Sequence, residues 1–298
     1  MSNPSSRAFV VAAAQFPVFS PTAWAEVDAM LGDWVASAEQ LGAKLLVFPE
    51  YGAMSIAHLD AATRSDLHGQ IAAMQAHREA WLALHQRLAQ AHQVYILAGS
   101  YPWTLADGRT VNRAWFCAPD GRADYQDKAV MTRFEREQWN ICGEPPLKVF
   151  DTALGRIAVN ICYDSEFPLQ ARAQCEAGAE IILVPSCTDT LAGYYRVKVG
   201  AQARALENQC YVIQSPIVGE APWSPAVDVN IGAAAVFGPP DRGFPDDGVI
   251  AIGRLNEPCW ITATIDPDVV AKVRNEGAVF PFRHWPESVA ARTVSVSL

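Results

Sequence analysis

Short runs of aliphatic and β-branched residues alternate along this chain with longer stretches whose apolar residues recur every third or fourth position. That alternation limits the fold more than any other feature, because it demands strands buried on both faces with helices packed outside them. "AFVVAAAQF" (8–16), "KLLVFPE" (44–50), "VYILAGSY" (94–101), "EIILVPS" (180–186) and "QCYVIQSPIVG" (209–219) read as strands. Trp24, Val27, Leu31, Trp34, Val35, Ala38 and Leu41 recur at helical spacing. A long helix is expected over about residues 66–92, and further helices in "PLQARAQCEAGA" and "YYRVKVGAQARALEN". Between them, "LADGRTVNRAWFCAPDGRADYQ" carries Asp-Gly turns that predict consecutive hairpins, and "LKVFDTALGRIAVNIC" predicts another strand pair. "AAAVFGPPDRGFPDDGVIAIGRL" and "CWITATID" supply late strands, with a short helix after Asp266. Helix crossovers and hairpins together predict an α/β protein with mixed sheets covered by helices on their outer faces. No linker, repeat or change of composition divides the chain, so residues 1–298 are read as a single domain.

Composition removes several classes of function. Half of the residues are hydrophobic, 18% are charged and the formal net charge is −9, with no cluster of Lys and Arg, which argues against a nucleic-acid surface. No run approaches the ~18 apolar residues of a membrane span. The seven cysteines are scattered and include no CxxC, which is not a disulfide framework and suits a reducing, cytoplasmic compartment. His68, His77, His85 and His92 fall on a polar helical stretch and read as solvated side chains, not as metal ligands; HExxH, GxGxxG, GxxxxGK[ST] and GxSxG are all missing.

Ionisable residues at strand ends point to chemistry. "RIAVNICYDSEFP" (156–168) runs from a buried strand into Cys162, "KLLVFPE" runs into Glu50, and "ADYQDKAVMTRFERE" (123–137) places Lys128 at the end of a hairpin strand. A thiol becomes a useful nucleophile when a base and a cation attend it, and α/β folds gather sites at strand ends.

These three segments resemble the glutamate, lysine and cysteine motifs of the carbon-nitrogen hydrolase, or nitrilase-like, superfamily. "VVAAAQF" is similar to its opening strand, "IILVPS" to the strand after the nucleophile and "RALENQCYV" to its later Arg-Glu-Asn segment. The resemblance implies a four-layer α-β-β-α sandwich of two mixed sheets, assembled as a homodimer or larger homo-oligomer, with no cofactor or metal. It makes Glu50 the general base, Lys128 the oxyanion stabiliser and Cys162 the nucleophile, with the backbone N–H of Tyr163 as a second oxyanion donor. A second glutamate is expected shortly after the lysine; Glu135 and Glu137 compete, and spacing favours Glu135. Tyr163, Glu166, Ser186 and Trp139 are the expected substrate-binding residues, with Trp223 a further apolar wall.

The implied activity is hydrolysis of a small linear amide or carbamoyl compound through a cysteine thioester. A nitrile substrate, or transfer of the thioester to an amine, is the alternative. Tyr163 beside the cysteine, where nitrilases commonly have Trp, leans toward an amidase. Glu166 stands where members that hydrolyse ω-amides of dicarboxylic acids carry arginine. It therefore points to neutral or cationic amides, unless Glu166 only caps the helix that begins near Pro168.

Overall fold

The computed structural model describes residues 7–297. Its strands are β1 (Phe9–Pro17), β2 (Ala43–Phe48), β3 (Tyr95–Thr104), β4 (Thr110–Cys117), β5 (Ala123–Asp127), β6 (Ile141–Cys142), β7 (Val149–Thr152), β8 (Gly155–Val159), β9 (Ile181–Ser186), β10 (Tyr211–Glu220), β11 (Val229–Asn230), β12 (Ala235–Phe237), β13 (Val249–Ile252) and β14 (Cys259–Ile265). The helices are α1 (Trp24–Gln40), α2 (Leu67–Met74), α3 (Arg78–His92), α4 (Arg133–Glu137), α5 (Pro168–Glu176), α6 (Leu191–Asn208), α7 (Pro267–Glu276) and α8 (Pro281–Val289).

The strands form two mixed sheets. In the first, β1, β2 and β3 run parallel, β4 and β5 continue as antiparallel hairpins, and β14 lies antiparallel to β1. In the second, β8, β9 and β10 are parallel, with β7 antiparallel at one side and β12 and β13 at the other. The two meet where the last residues of β1 pair with β10, Phe16 with Ile217 and Pro17 with Val218.

Period-two alternation explains the layers. Along β1 and β2, Val11, Ala13, Leu45 and Val47 join one core with Ile157, Val159, Ile181, Leu183 and Ile213 of the second sheet. Helices α5 and α6 extend that core through Ala171, Cys175, Val197, Ala201 and Ala205. The intervening residues Ala12, Ala14, Phe16, Leu46 and Phe48 pack instead against Val27, Leu31 and Val35 of α1 and Trp81, Leu84 and Leu88 of α3. The outcome is the α-β-β-α sandwich anticipated from the sequence. No helix among the described residues is long and apolar enough to cross a membrane.

Two expectations need correction. The helix expected over 66–92 is broken: α2 starts on the Asp66 cap and ends at Met74, a 3₁₀ turn spans Gln75–His77, and α3 follows. Gln75 sits at the break because its Nε2 donates to the carbonyls of Ile71 and Pro102 while its Oε1 accepts from Thr104 N–H, tying the chain to the end of β3. His85 is not solvated. It is fully buried, its Nδ1 2.9 Å from the Trp81 carbonyl, and burial pulls its pKa down to about 4, so it is a neutral core residue.

Candidate active site

Glu50, Lys128 and Cys162 reach one place from three strand ends on two sheets. Glu50 lies two residues beyond β2, and its neighbour Tyr51 takes a left-handed φ of 54°. Lys128 directly follows β5 and its N–H donates to the Asn112 carbonyl at 2.9 Å. Cys162 opens a 3₁₀ turn between β8 and α5, with a φ of 49°. A cysteine in that region is strained and persists only where its surroundings hold it. Asp164 supplies that hold: its buried carboxylate accepts from Val130 N–H at 2.8 Å, Ala129 N–H at 3.2 Å and Ile161 N–H at 3.3 Å. One side chain therefore binds the segment after Lys128 to the turn that carries Cys162. Burial raises the Asp164 pKa to about 6 against the opposing pull of Lys128 and these donors.

The charges are concentrated on Lys128. Its Nζ is 2.7 Å from Glu50 Oε1 and 2.7 Å from Glu135 Oε2, and all three side chains are almost completely buried. A buried ammonium without partners would cost several kcal/mol, and two carboxylates offset that cost. Glu135 is held in turn by Tyr51 OH at 2.6 Å and by the Thr132 N–H and hydroxyl at 2.9 and 2.8 Å. Thr132 and Glu135 form the capping box of α4, so the same contacts that start the helix fix the carboxylate. Glu137 lies on the solvent side, paired with Arg133 at 2.7 Å.

Protonation follows from these surroundings. Burial, with the neighbouring Glu135 charge, raises the Glu50 pKa to about 7 although Lys128 opposes it. Burial also opposes ionisation of Glu135, yet Lys128, Tyr51 and Thr132 outweigh it and hold that carboxyl below its ordinary value. Burial likewise works against the Lys128 charge, but the two carboxylates win and keep it protonated. Cys162 is pushed well above an ordinary thiol by burial and by the Glu50 charge. That direction favours the neutral thiol over the thiolate at Cys162. The Sγ also approaches the Cys187 carbonyl at 3.7 Å, and Cys187 N–H donates to Glu50 Oε2 at 2.9 Å.

A cavity of about 340 Å³ opens onto Glu50, Lys128, Glu135 and Cys162. The sequence profile of the carbon-nitrogen hydrolase family matches residues 10–275. The chain belongs to the carbon-nitrogen hydrolase family. It is 35% identical to the probable hydrolase YhcX of Bacillus subtilis over 201 residues, 67% of this chain and only 39% of the length of YhcX. It is 31% identical to a deaminated glutathione amidase of Synechocystis over 204 residues, covering 64% of this chain and 71% of that protein. The fold is similar to that of an amidase from Nesterenkonia, solved with the acetamide moiety of fluoroacetamide covalently added at its active-site cysteine. The TM-score is 0.69 at 20% identity, covering 92% of this chain and 96% of that one.

Within this carbon-nitrogen hydrolase, Tyr163, Glu166 and Trp139 line the cavity. Glu166 does not cap α5, which begins at Pro168 without a side-chain cap; it lies 3.6 Å from Arg196 of α6. Ser186 is buried and is not among the lining residues, whereas the next residue, Cys187, is. Trp223 also lies off the cavity, its Nε1 donating to Ser20 Oγ. Sequence reasoning missed Tyr51, Asn112, Thr132, Asp164 and Arg196. The Thr132-x-x-Glu135 spacing is a recognisable capping signature that would have singled out Thr132 and Glu135 together.

Proposed function

We propose that the protein hydrolyses the C–N bond of a small linear amide or carbamoyl compound through a Cys162 thioester. The observation that carries this reading is that Glu50, Lys128 and Cys162 line one cavity, with the Lys128 ammonium held 2.7 Å from Glu50. Glu50 takes the thiol proton as Sγ attacks the carbonyl carbon. The oxyanion that forms is met by the Lys128 ammonium and the Tyr163 N–H. Glu50 then delivers its proton to the departing nitrogen, the C–N bond breaks and the thioester remains. A water that gives its proton to Glu50 attacks the thioester, releasing the carboxylic acid and returning the proton to sulfur. Glu135 stays ionised throughout and fixes Lys128.

The deaminated glutathione amidase relative and the fluoroacetamide adduct of the Nesterenkonia enzyme support an amide substrate. Arg196 offsets the charge of Glu166, and Arg133 is committed to Glu137, while Asp189 and Asp228 add negative charge to the cavity wall. A neutral or cationic amide suits that balance better than an anionic one. The test is ammonia release from a neutral aliphatic amide, an amine-bearing amide and a dicarboxylate mono-amide of matched length, with and without an added amine acceptor. Cys162→Ala should abolish turnover. Cys187→Ala should retain most of it, because Cys187 serves Glu50 through its backbone N–H. Normal turnover by Cys162→Ala removes the mechanism, and preference for the dicarboxylate mono-amide removes the substrate class.

A homo-oligomeric state is part of the same proposal. Tyr195, Val199 and Leu206 on α6 and Leu169 on α5 are exposed apolar side chains, a face suited to a second copy of this chain. Sedimentation of the wild type and of Val199→Glu tests it, with a smaller species expected only for the variant.

A further inference from the structure

Asn112, on β4, is fully buried and touches three members of the proposed machinery. Its Nδ2 donates to Glu50 Oε1 at 2.9 Å and to Glu135 Oε1 at 3.2 Å, and its backbone carbonyl receives the Lys128 N–H at 2.9 Å. Its Oδ1, also buried, has no hydrogen-bond partner among the described residues. Two carboxylates can only accept, so the amide must turn its nitrogen toward them and leave its oxygen unmatched. A buried acceptor left in that state is unfavourable, so the orientation is imposed by what the nitrogen does.

The two Glu50 oxygens are served unequally. Oε1 receives Lys128 Nζ at 2.7 Å and Asn112 Nδ2 at 2.9 Å, which fills both of its lone pairs. Among the described residues Oε2 receives only the Cys187 N–H, at 2.9 Å, and keeps one lone pair open. We propose that Asn112 is a positioning residue that saturates Glu50 Oε1 and bridges it to Glu135, so that Oε2 is the oxygen left to take the Cys162 proton. The groups facing Glu50 are Lys128 after β5, Glu135 on α4, Cys162 before α5 and Cys187 after β9, with Tyr51 beside it on the chain. Lys128, with the Asn112 Nδ2 donor, favours the ionised Glu50, while Glu135 disfavours it.

This inference rests on Glu50 as the general base, and the experiment separates the two. The pH dependence of kcat/KM and the rate of Cys162 alkylation by iodoacetamide are measured for wild type, Asn112→Leu, Asn112→Ser and Glu50→Gln. Asn112→Leu keeps the branched four-atom shape of the side chain and the backbone acceptor for Lys128 but loses both side-chain donors. Its acidic limb should move upward by about one pH unit, with kcat down about tenfold and KM within about twofold. Asn112→Ser retains one small donor and should fall between, and it carries the test should the leucine variant fail to fold. An acidic limb and kcat unchanged in a folded Asn112 variant overturn the inference while leaving Glu50 as base. Normal turnover by Glu50→Gln overturns the reading beneath it.

Discussion

In the proposed mechanism the proton that matters at rest is on sulfur, and the Glu50 carboxyl decides when it can leave. With the Glu50 pKa near 7, kcat/KM should rise as pH increases through that value, and Glu50→Gln should lose activity at every pH. Stability runs the other way. A carboxyl whose folded pKa lies above its unfolded value favours the fold when protonated; that advantage is complete below about pH 4.3 and is lost as pH rises through about 7. Glu50→Gln has no such charge to bury, so its melting temperature relative to wild type should increase between pH 5 and pH 8. A constant difference across that range would refute the linkage. Lys128 supplies a second prediction at this scale. Its compact ammonium fits two carboxylates at 2.7 Å, and a forked guanidinium needs more space. Lys128→Arg should therefore lose ~10²- to 10³-fold in kcat/KM, as expected for a missing oxyanion donor.

Among the elements, α6 sets the position of the nucleophile turn. Gly200 faces it so closely that a Cβ there would lie 2.9 Å from the Ser165 carbonyl oxygen, and the same carbonyl accepts from Arg204 Nη1 at 3.0 Å. Gly200→Val should push the turn away from the helix, costing about 1–3 kcal/mol in unfolding free energy and lowering kcat more than it raises KM. Denaturant titration and steady-state kinetics check both halves. The elements themselves were largely legible, because "KLLVFPE" and "EIILVPS" are short continuous apolar runs and the Asp-Gly hairpins follow turn rules that the tertiary structure leaves intact. The helix break at Gln75 was not, since it depends on a bond to Pro102, far along the chain. The choice of Ser186 failed by one residue. Strand side chains alternate, so Ser186 is buried away from the cavity while Cys187 faces it, and sequence pattern does not fix where that alternation ends. Glu50 and Cys162 stood out because each follows an apolar strand, and Lys128 because it ends a hairpin strand. Asn112 and Asp164 sit inside segments that mark no boundary, and their importance comes from partners the fold brings to them.

At the scale of the whole molecule, the Glu50 carboxylate and the Lys128 ammonium belong to one sheet and the Cys162 thiol to the other. Glu50 and Lys128 follow β2 and β5, Cys162 and Cys187 follow β8 and β9, and direct pairing between the sheets is confined to the ends of β1 and β10. Their relative placement depends on the packed core between them, to which Val47 and Leu183 contribute, and on Ser215 Oγ, 2.8 Å from the carbonyls of both Ala14 and Val47. Leu183→Ala should cost about 2–5 kcal/mol of stability. It should also reduce kcat at temperatures where circular dichroism still reports a full complement of secondary structure. The two layers work like the jaws of a caliper whose gap is the distance from carboxylate to sulfur. Warming that loosens the jaws by a fraction of an ångström would silence the enzyme while every helix and strand remained formed, so inactivation on heating should precede melting.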